Sequence, residues 1–172
     1  MEFYENKQEP EKAVLIAVDT GDYDCETSLD ELDELSKTAG AEVVGKLWQK
    51  RDKPDSATFL GSGRLEELAE FCENNEIDLV IADSELSPAQ LRNIEKATKV
   101  RVIDRTTLIL DIFAERARSN EGKLQVELAQ LRYTAPRLTG KGRELSRLGG
   151  TIGTRGPGES KLEEDRRHIH HR

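Results

Sequence analysis

Three aspartates follow short apolar runs: Asp19 after residues 13–18, Asp83 after residues 77–82 and Asp104 after residues 100–103. If those runs are parallel strands of one sheet, the three carboxylates reach the same edge, where hard oxygen ligands can hold Mg²⁺ for phosphoryl chemistry. Asp is also the ordinary residue of strand-to-helix turns and N-caps, and that role accounts for all three without a metal. Gly61-Ser62-Gly63 is a second candidate, because a glycine turn opening a helix presents backbone N–H groups to an anion. It lacks the third glycine of a dinucleotide fingerprint, and Glu66 and Glu67 are expected in the first turn, so Gly61, Ser62 and Gly63 form a weak anion site at best.

Gly153-Thr154-Arg155-Gly156-Pro157-Gly158-Glu159-Ser160 comes within one residue of a P-loop. Glu159 stands where a lysine must neutralise phosphates, Pro157 removes a cradling N–H, and no strand precedes the motif, so it is rejected as a nucleotide site. His168, His170 and His171 near the end of the chain read as surface residues rather than metal ligands. The densest chemistry is basic: residues 132–155 carry Arg132, Arg137, Lys141, Arg143, Arg147 and Arg155 against the single acid Glu144. Seven of the chain's 13 glycines fall in residues 139–158, among them Gly149, Gly150, Gly153, Gly156 and Gly158. Glycine lets the main chain come near a phosphate backbone and arginine supplies planar forked donors, so this run suits RNA.

The elements that must position these residues follow from hydrophobic period. Residues 13–18 are a continuous apolar run, the mark of a strand buried on both faces, and residues 43–48, 77–82 and 100–103 supply three more strands. Helical patterns lie between them. One is expected to start at a Ser28/Glu31 capping box and end at Gly40, the next opens at the Gly61–Gly63 turn, and the third starts at Ser87-Pro88-Ala89-Gln90, with proline at the first helical position. Alternating strands and helices make βαβ units and a mainly parallel sheet.

From Arg105 the pattern becomes one long helix. Leu110, Ala114, Ala117, Glu121, Leu124, Leu128, Leu131, Ala135 and Leu138 step by four and three, a coiled-coil seam that only Glu121 breaks; a kink or helix start is plausible between Asn120 and Lys123, and Pro136 ends the helix. Residues 159–172 read as helical again, with Leu162 and Ile169 one heptad apart, and are expected to form an antiparallel partner for the first helix. The expected fold class is therefore α/β: a small, mainly parallel four-stranded sheet with flanking helices, then an antiparallel, coiled-coil-like helical hairpin with a glycine-rich tip. The expected divisions are a disordered tail at 1–12, an α/β subdomain at 13–104 and a helical hairpin subdomain at 105–172 with its loop at 139–158.

Charge divides along the same line. Residues 1–98 carry 24 Asp/Glu against 10 Lys/Arg, a net of −14, while residues 99–172 carry 10 against 16, a net of +6. Only the second half is suited to meet a polyanion, where basic side chains release counterions. The longest apolar run is six residues against the roughly 20 of a spanning helix, and the N-terminus lacks a basic-then-apolar signal, so membrane insertion and export are not expected. Cys25 and Cys72 lack metal-ligand spacing and suit a reducing compartment, which places the protein in the cytoplasm.

Four ordered stretches then become familiar: Leu86-Ser87-Pro88-Ala89-Gln90-Leu91-Arg92-Asn93; Val102-Ile103-Asp104-Arg105-Thr106-Thr107-Leu108-Ile109-Leu110-Asp111-Ile112-Phe113; Arg116-Ala117-Arg118 with Glu121-Gly122-Lys123-Leu124-Gln125-Val126-Glu127-Leu128-Ala129-Gln130-Leu131; and residues 149–159 with Leu162-Glu163 and Asp165-Arg166-Arg167. Together they resemble the N-terminal region of HflX-type GTPases, across residues 13–168. The resemblance implies an α/β subdomain and a helical hairpin whose glycine-rich tip reaches rRNA of the large ribosomal subunit near the peptidyl transferase centre, in a protein that splits or rescues stalled ribosomes under stress. It implies Arg137, Lys141, Arg143, Arg147, Arg155 and the five loop glycines as rRNA-facing residues. It also implies a following GTPase domain that binds GTP and Mg²⁺, as partner to this segment. The chain itself has no P-loop lysine, switch or guanine-reading motif, so it is not expected to bind those cofactors or hydrolyse GTP alone. Two other readings stay open: a nucleotide-binding α/β domain using the strand-end aspartates and the Gly61–Gly63 turn, and an assembly module pairing through Leu124, Leu128 and Leu131, against which a monomer is expected.

Overall fold

The computed structural model describes residues 9–138. The chain runs β1 (Lys12–Asp19), α1 (Cys25–Thr38), β2 (Glu42–Lys50), α2 (Ser62–Asn74), β3 (Leu79–Ala82), α3 (Pro88–Thr98), β4 (Arg101–Asp104), α4 (Arg105–Arg116), α5 (Asn120–Thr134) and a final 3₁₀ turn, Ala135–Leu138. The four strands form one sheet in the order β2-β1-β3-β4, and every neighbouring pair is parallel. The expected four-stranded α/β architecture is present.

β1 is apolar throughout because helices cover it on both sides. Val14, Ile16 and Val18 face one layer with Leu68 and Cys72 of α2 and Leu91 and Ile94 of α3. Ala13, Leu15 and Ala17 face the other, with Leu29 and Leu32 of α1 and Leu108 and Ile112 of α4. β2 lies at the edge and alternates between exposed and partly buried residues. Its register slips between Ala13 and Val14, so Val43 packs on the α1 side whereas Leu47 packs on the α2 side. Gly45 follows the slip, and there the ring of Phe71 approaches so closely that a Cβ would lie 2.7 Å from its Cζ.

Helix ends follow side-chain chemistry. Ser87 and Gln90 form the expected reciprocal capping box at α3, with Pro88 at the first position. α1 starts one turn earlier than expected. Its N-cap is Asp24, whose carboxylate accepts from the Thr27 N–H at 3.1 Å and the Thr27 hydroxyl at 2.8 Å, so Ser28 lies inside the helix and forms no capping box. It ends as a Schellman motif: Gly40 has φ of 96°, its N–H reaches Lys37 O, and the Ala41 N–H reaches Ser36 O.

Two further boundaries differ from expectation, the end of the tail and the placement of α4. Glu11 and Lys12 are not tail: Lys12 begins β1, and the buried Glu11 pairs with Arg101 Nη2 at 3.2 Å. The helix after Arg105 is two helices, with α5 starting at Asn120, inside the window expected for a kink or helix start; the break lies at 117–119, where Ala117 turns extended (ψ 131°) and Ser119 caps α5 by accepting from the Gly122 N–H at 2.9 Å. α4 belongs to the body, since Leu108 and Ile112 lie in its core. The heptad steps continue across the break because spacing alone does not register the extended residues Ala117 and Ser119 between two helical stretches. The 3₁₀ turn carries Pro136, as expected for the end of α5. The glycine-rich loop 139–158 and the expected partner helix 159–172 lie outside the described residues.

Candidate functional site

The parallel sheet brings Asp19, Asp83 and Asp104 to one edge, as the spacing implied, but gives each separate work. Asp104 is fully buried at the end of β4. Its Oδ1 accepts from the Thr107 N–H at 3.0 Å, capping α4, while Oδ2 accepts from the Leu86 N–H at 2.9 Å and from the Tyr133 hydroxyl. Asp83 holds Arg105 Nη1 at 2.6 Å, and the same guanidinium reaches Ser28 Oγ at 3.3 Å and Glu31 at 3.0 Å, tying α1 to the end of β3. Burial opposes the Arg105 charge, and the Asp83 and Glu31 carboxylates outweigh it, so its pKa is raised further. Asp19 accepts from the Gly21 N–H at 3.0 Å in an ordinary Asx turn. Among the described residues no three His, Cys, Asp or Glu side chains are placed to hold a metal.

An open cleft of about 580 Å³ lies beyond β1 and β2, lined by Asp19, Tyr23, Asp24, Cys25, Glu26, Lys50, Arg51 and Asp52. Cys25 is a buried thiol whose pKa is raised by burial, and burial pushes the Cys72 thiol up to about 11, so neither is an activated nucleophile. Tyr23 donates to Val18 O at 2.8 Å, and burial raises its pKa too.

Gly61 is the N-cap of α2, with Ser62 and Gly63 as its first residues. The first turn holds no acid, so Glu66 and Glu67 lie further along the helix than expected; Arg64 is nearer the start and pairs with Glu67 at 2.8 Å. The Gly61 N–H donates to Gln49 Oε1 at 2.8 Å, so one of the donors an anion would need is already taken.

Of the basic residues singled out for RNA, Arg132 and Arg137 are described. Arg132 is exposed on α5. Arg137 is turned toward the body: its guanidinium lies 3.6 Å from the centre of the Tyr133 ring, Nε donates to Leu86 O at 3.2 Å and Nη1 to Tyr133 O at 2.9 Å. Lys141, Arg143, Arg147, Gly149, Gly150, Gly153, Arg155, Gly156 and Gly158 lie outside the described residues, as do His168, His170 and His171. Tyr133 and Arg105 escaped the sequence reading. The available signal was the i,i+4 spacing of Tyr133 and Arg137, one helical turn in which an arginine can stack on a ring.

The body and the root of its extension define a class. A family model described as "GTP-binding GTPase N-terminal" matches residues 26–114, and one described as "GTP-binding GTPase Middle Region" matches residues 116–172, so the chain holds the N-terminal and middle regions of a GTP-binding protein. The first match ends within α4 and the second begins at its last residue, consistent with α4 as part of the body. Among curated relatives, GTPase HflX of Caldanaerobacter subterraneus subsp. tengcongensis is 58% identical over 165 residues, covering 96% of this chain and 38% of that protein. GTPase HflX of Escherichia coli is 48% identical over 163 residues, covering 94% and 38%. The chain belongs to the HflX family, and it spans about two fifths of the length of these relatives. A solved structure of SsGBP, the G235P variant, superposes with a TM-score of 0.60 at 26% identity, covering 77% of this chain and 42% of that one. No helix among the described residues is long and apolar enough to cross a membrane.

Proposed function

We propose that this chain is the ribosome-binding part of an HflX-type GTPase, in which an acidic α/β body carries a basic, glycine-rich arm to the rRNA of the large ribosomal subunit. The observation that carries the reading is the match of the middle-region model to residues 116–172, the part of the chain in which the basic residues and glycines concentrate. Lys141, Arg143, Arg147 and Arg155, with Arg132 at the arm's root, supply phosphate contacts. Gly149, Gly150, Gly153, Gly156 and Gly158 allow the main chain to follow the RNA surface. GTP and Mg²⁺ bind a GTPase domain outside this segment, which acts with the arm in the cytoplasm to split or rescue stalled ribosomes.

Phosphate-directed contacts make binding fall steeply with salt. Sedimentation with purified large subunits across a salt series is expected to show the chain bound at low salt and released at high salt. Replacing Arg143, Arg147 and Arg155 together by alanine lowers affinity and flattens the salt dependence by about three contacts. Equal binding by the triple variant would move recognition to the body, and no binding by the chain at any salt would move it to the GTPase domain.

A further inference from the structure

Four residues at the sheet's C-terminal edge close a ring of contacts. Leu86, buried just before α3, has its N–H held by Asp104 Oδ2 at 2.9 Å and its carbonyl held by Arg137 Nε at 3.2 Å. Tyr133 bridges the other two, with its hydroxyl on Asp104 Oδ2 and its ring under the Arg137 guanidinium at 3.6 Å. We propose that Tyr133 and Arg137 form a latch that sets the angle at which the basic arm leaves the body, and that Arg137 is a positioning residue rather than a phosphate contact. This deepens the ribosome-binding reading and rests on it for its functional consequence, though the latch itself can be tested without a ribosome.

The case begins with what else holds α5. None of its fifteen residues is buried, and Leu124 and Leu128 are 49% and 42% exposed, so apolar burial does little to fix its direction. It reaches α4 through residues 117–119, a short connection in which Ala117 and Ser119 are extended. α5 packs on α4, where Gln130 Nε2 donates to Asp111 Oδ1 at 3.0 Å, and it meets the end of β4 through the Tyr133–Asp104 bond. The 3₁₀ turn then adds the Arg137–Leu86 bond.

The two latch bonds end on acceptors that do not move with α5. Asp104 is fixed by β4, the α4 N-terminus and the Leu86 N–H at once, and Leu86 is buried. Tyr133 is strongly biased to stay protonated, first by its own burial and then by donating to a carboxylate, so the latch is intact at neutral pH. Arg137 has Nε and Nη1 committed and one face on the ring, so the donors it keeps, chiefly on Nη2, are held in the orientation that the latch sets.

The test uses the whole chain, with spin labels at Glu66→Cys on α2 and Gln125→Cys on α5; the native Cys25 and Cys72 are buried. In the parent the distance distribution between the labels is narrow; in Tyr133→Phe, which keeps the ring and loses the hydroxyl, and in Arg137→Ala it broadens. Unchanged distributions in both variants overturn the latch, whatever the ribosome does. Subunit binding then separates the two roles of Arg137. A positioning residue lowers affinity by about fivefold, as expected for losing one hydrogen bond that favours the competent arrangement, with the salt slope unchanged and Tyr133→Phe behaving alike. A phosphate contact lowers the slope by about one in Arg137→Ala and leaves Tyr133→Phe at parent affinity, which overturns the proposal. If the parent fails to bind subunits at all, the ribosome reading falls while the distance measurement still decides the latch.

Discussion

In β1 every residue from Ala13 to Val18 is buried, whereas in α5 none is. Both segments are rich in aliphatic side chains; what differs is the number of neighbouring layers. β1 lies between α1 and α4 on one face and α2 and α3 on the other, so its side chains leave water completely. α5 packs on α4, and polar contacts of Gln130, of Tyr133 and, in the turn that follows, of Arg137 are among those that tie it to the body. A body held by burial unfolds as one cooperative unit, while a helix held by a few directional bonds can loosen alone.

The comparison breaks most visibly in the core. Leu79→Ala, at a fully buried position on β3, is expected to cost about 2–5 kcal/mol in urea unfolding and to raise exchange of amides throughout the body. Loss of protection confined to β3 would show that the body is not one unit. Gly45→Val forces a branched side chain against the Phe71 ring and is expected to cost about 1–3 kcal/mol, measured the same way. A neutral result would mean that the α2 layer yields more easily than its packing implies.

Tyr133→Phe sharpens the other side. It is expected to cost about 1–2 kcal/mol at neutral pH, read as faster amide exchange in α5 with the β1 amides unaffected. The folded state raises the Tyr133 pKa above its ordinary value near 10, so its contribution is complete below pH 10 and is lost as pH rises through the raised value. A stability profile from pH 9 upward should therefore fall less steeply in Tyr133→Phe than in the parent, with Tyr23, raised in the same direction, supplying part of the remaining slope. Equal slopes would show that the Tyr133 hydroxyl stays exposed to solvent. The smallest effect is expected from Leu128→Ala, within about 0.5 kcal/mol by the same unfolding measurement, because the side chain is already 42% exposed. A cost of core size would reveal a cover over α5.

The body was readable from its residues because each signal there is local. Asp24 illustrates how such reading slips: it lies four residues before Ser28, either can cap a helix, and only the observed Thr27 contacts decide between them. The strand-end aspartates illustrate a different limit. Their shared edge follows from parallel strands, but Asp104 is completed by Tyr133, 29 residues later, and Asp83 by Arg105, 22 residues later. Arg137 stood among the RNA-facing candidates on charge and on the family resemblance, and neither says which way a side chain turns.

Period, capping residues and charge distribution by themselves determined the parallel α/β body, the helix starting at Ser87, the end of α5 before Pro136 and the division into acidic and basic halves. These depend on residues within a turn or two of one another, or on simple counts. Only the tertiary structure decided that α4 belongs to the body, that Glu11 pairs with Arg101 across 90 residues, and that Asp104, Leu86, Tyr133 and Arg137 close on each other. Those contacts join groups brought together when helices cover both faces of the sheet, and no spacing along the chain encodes which of several similar partners will meet there.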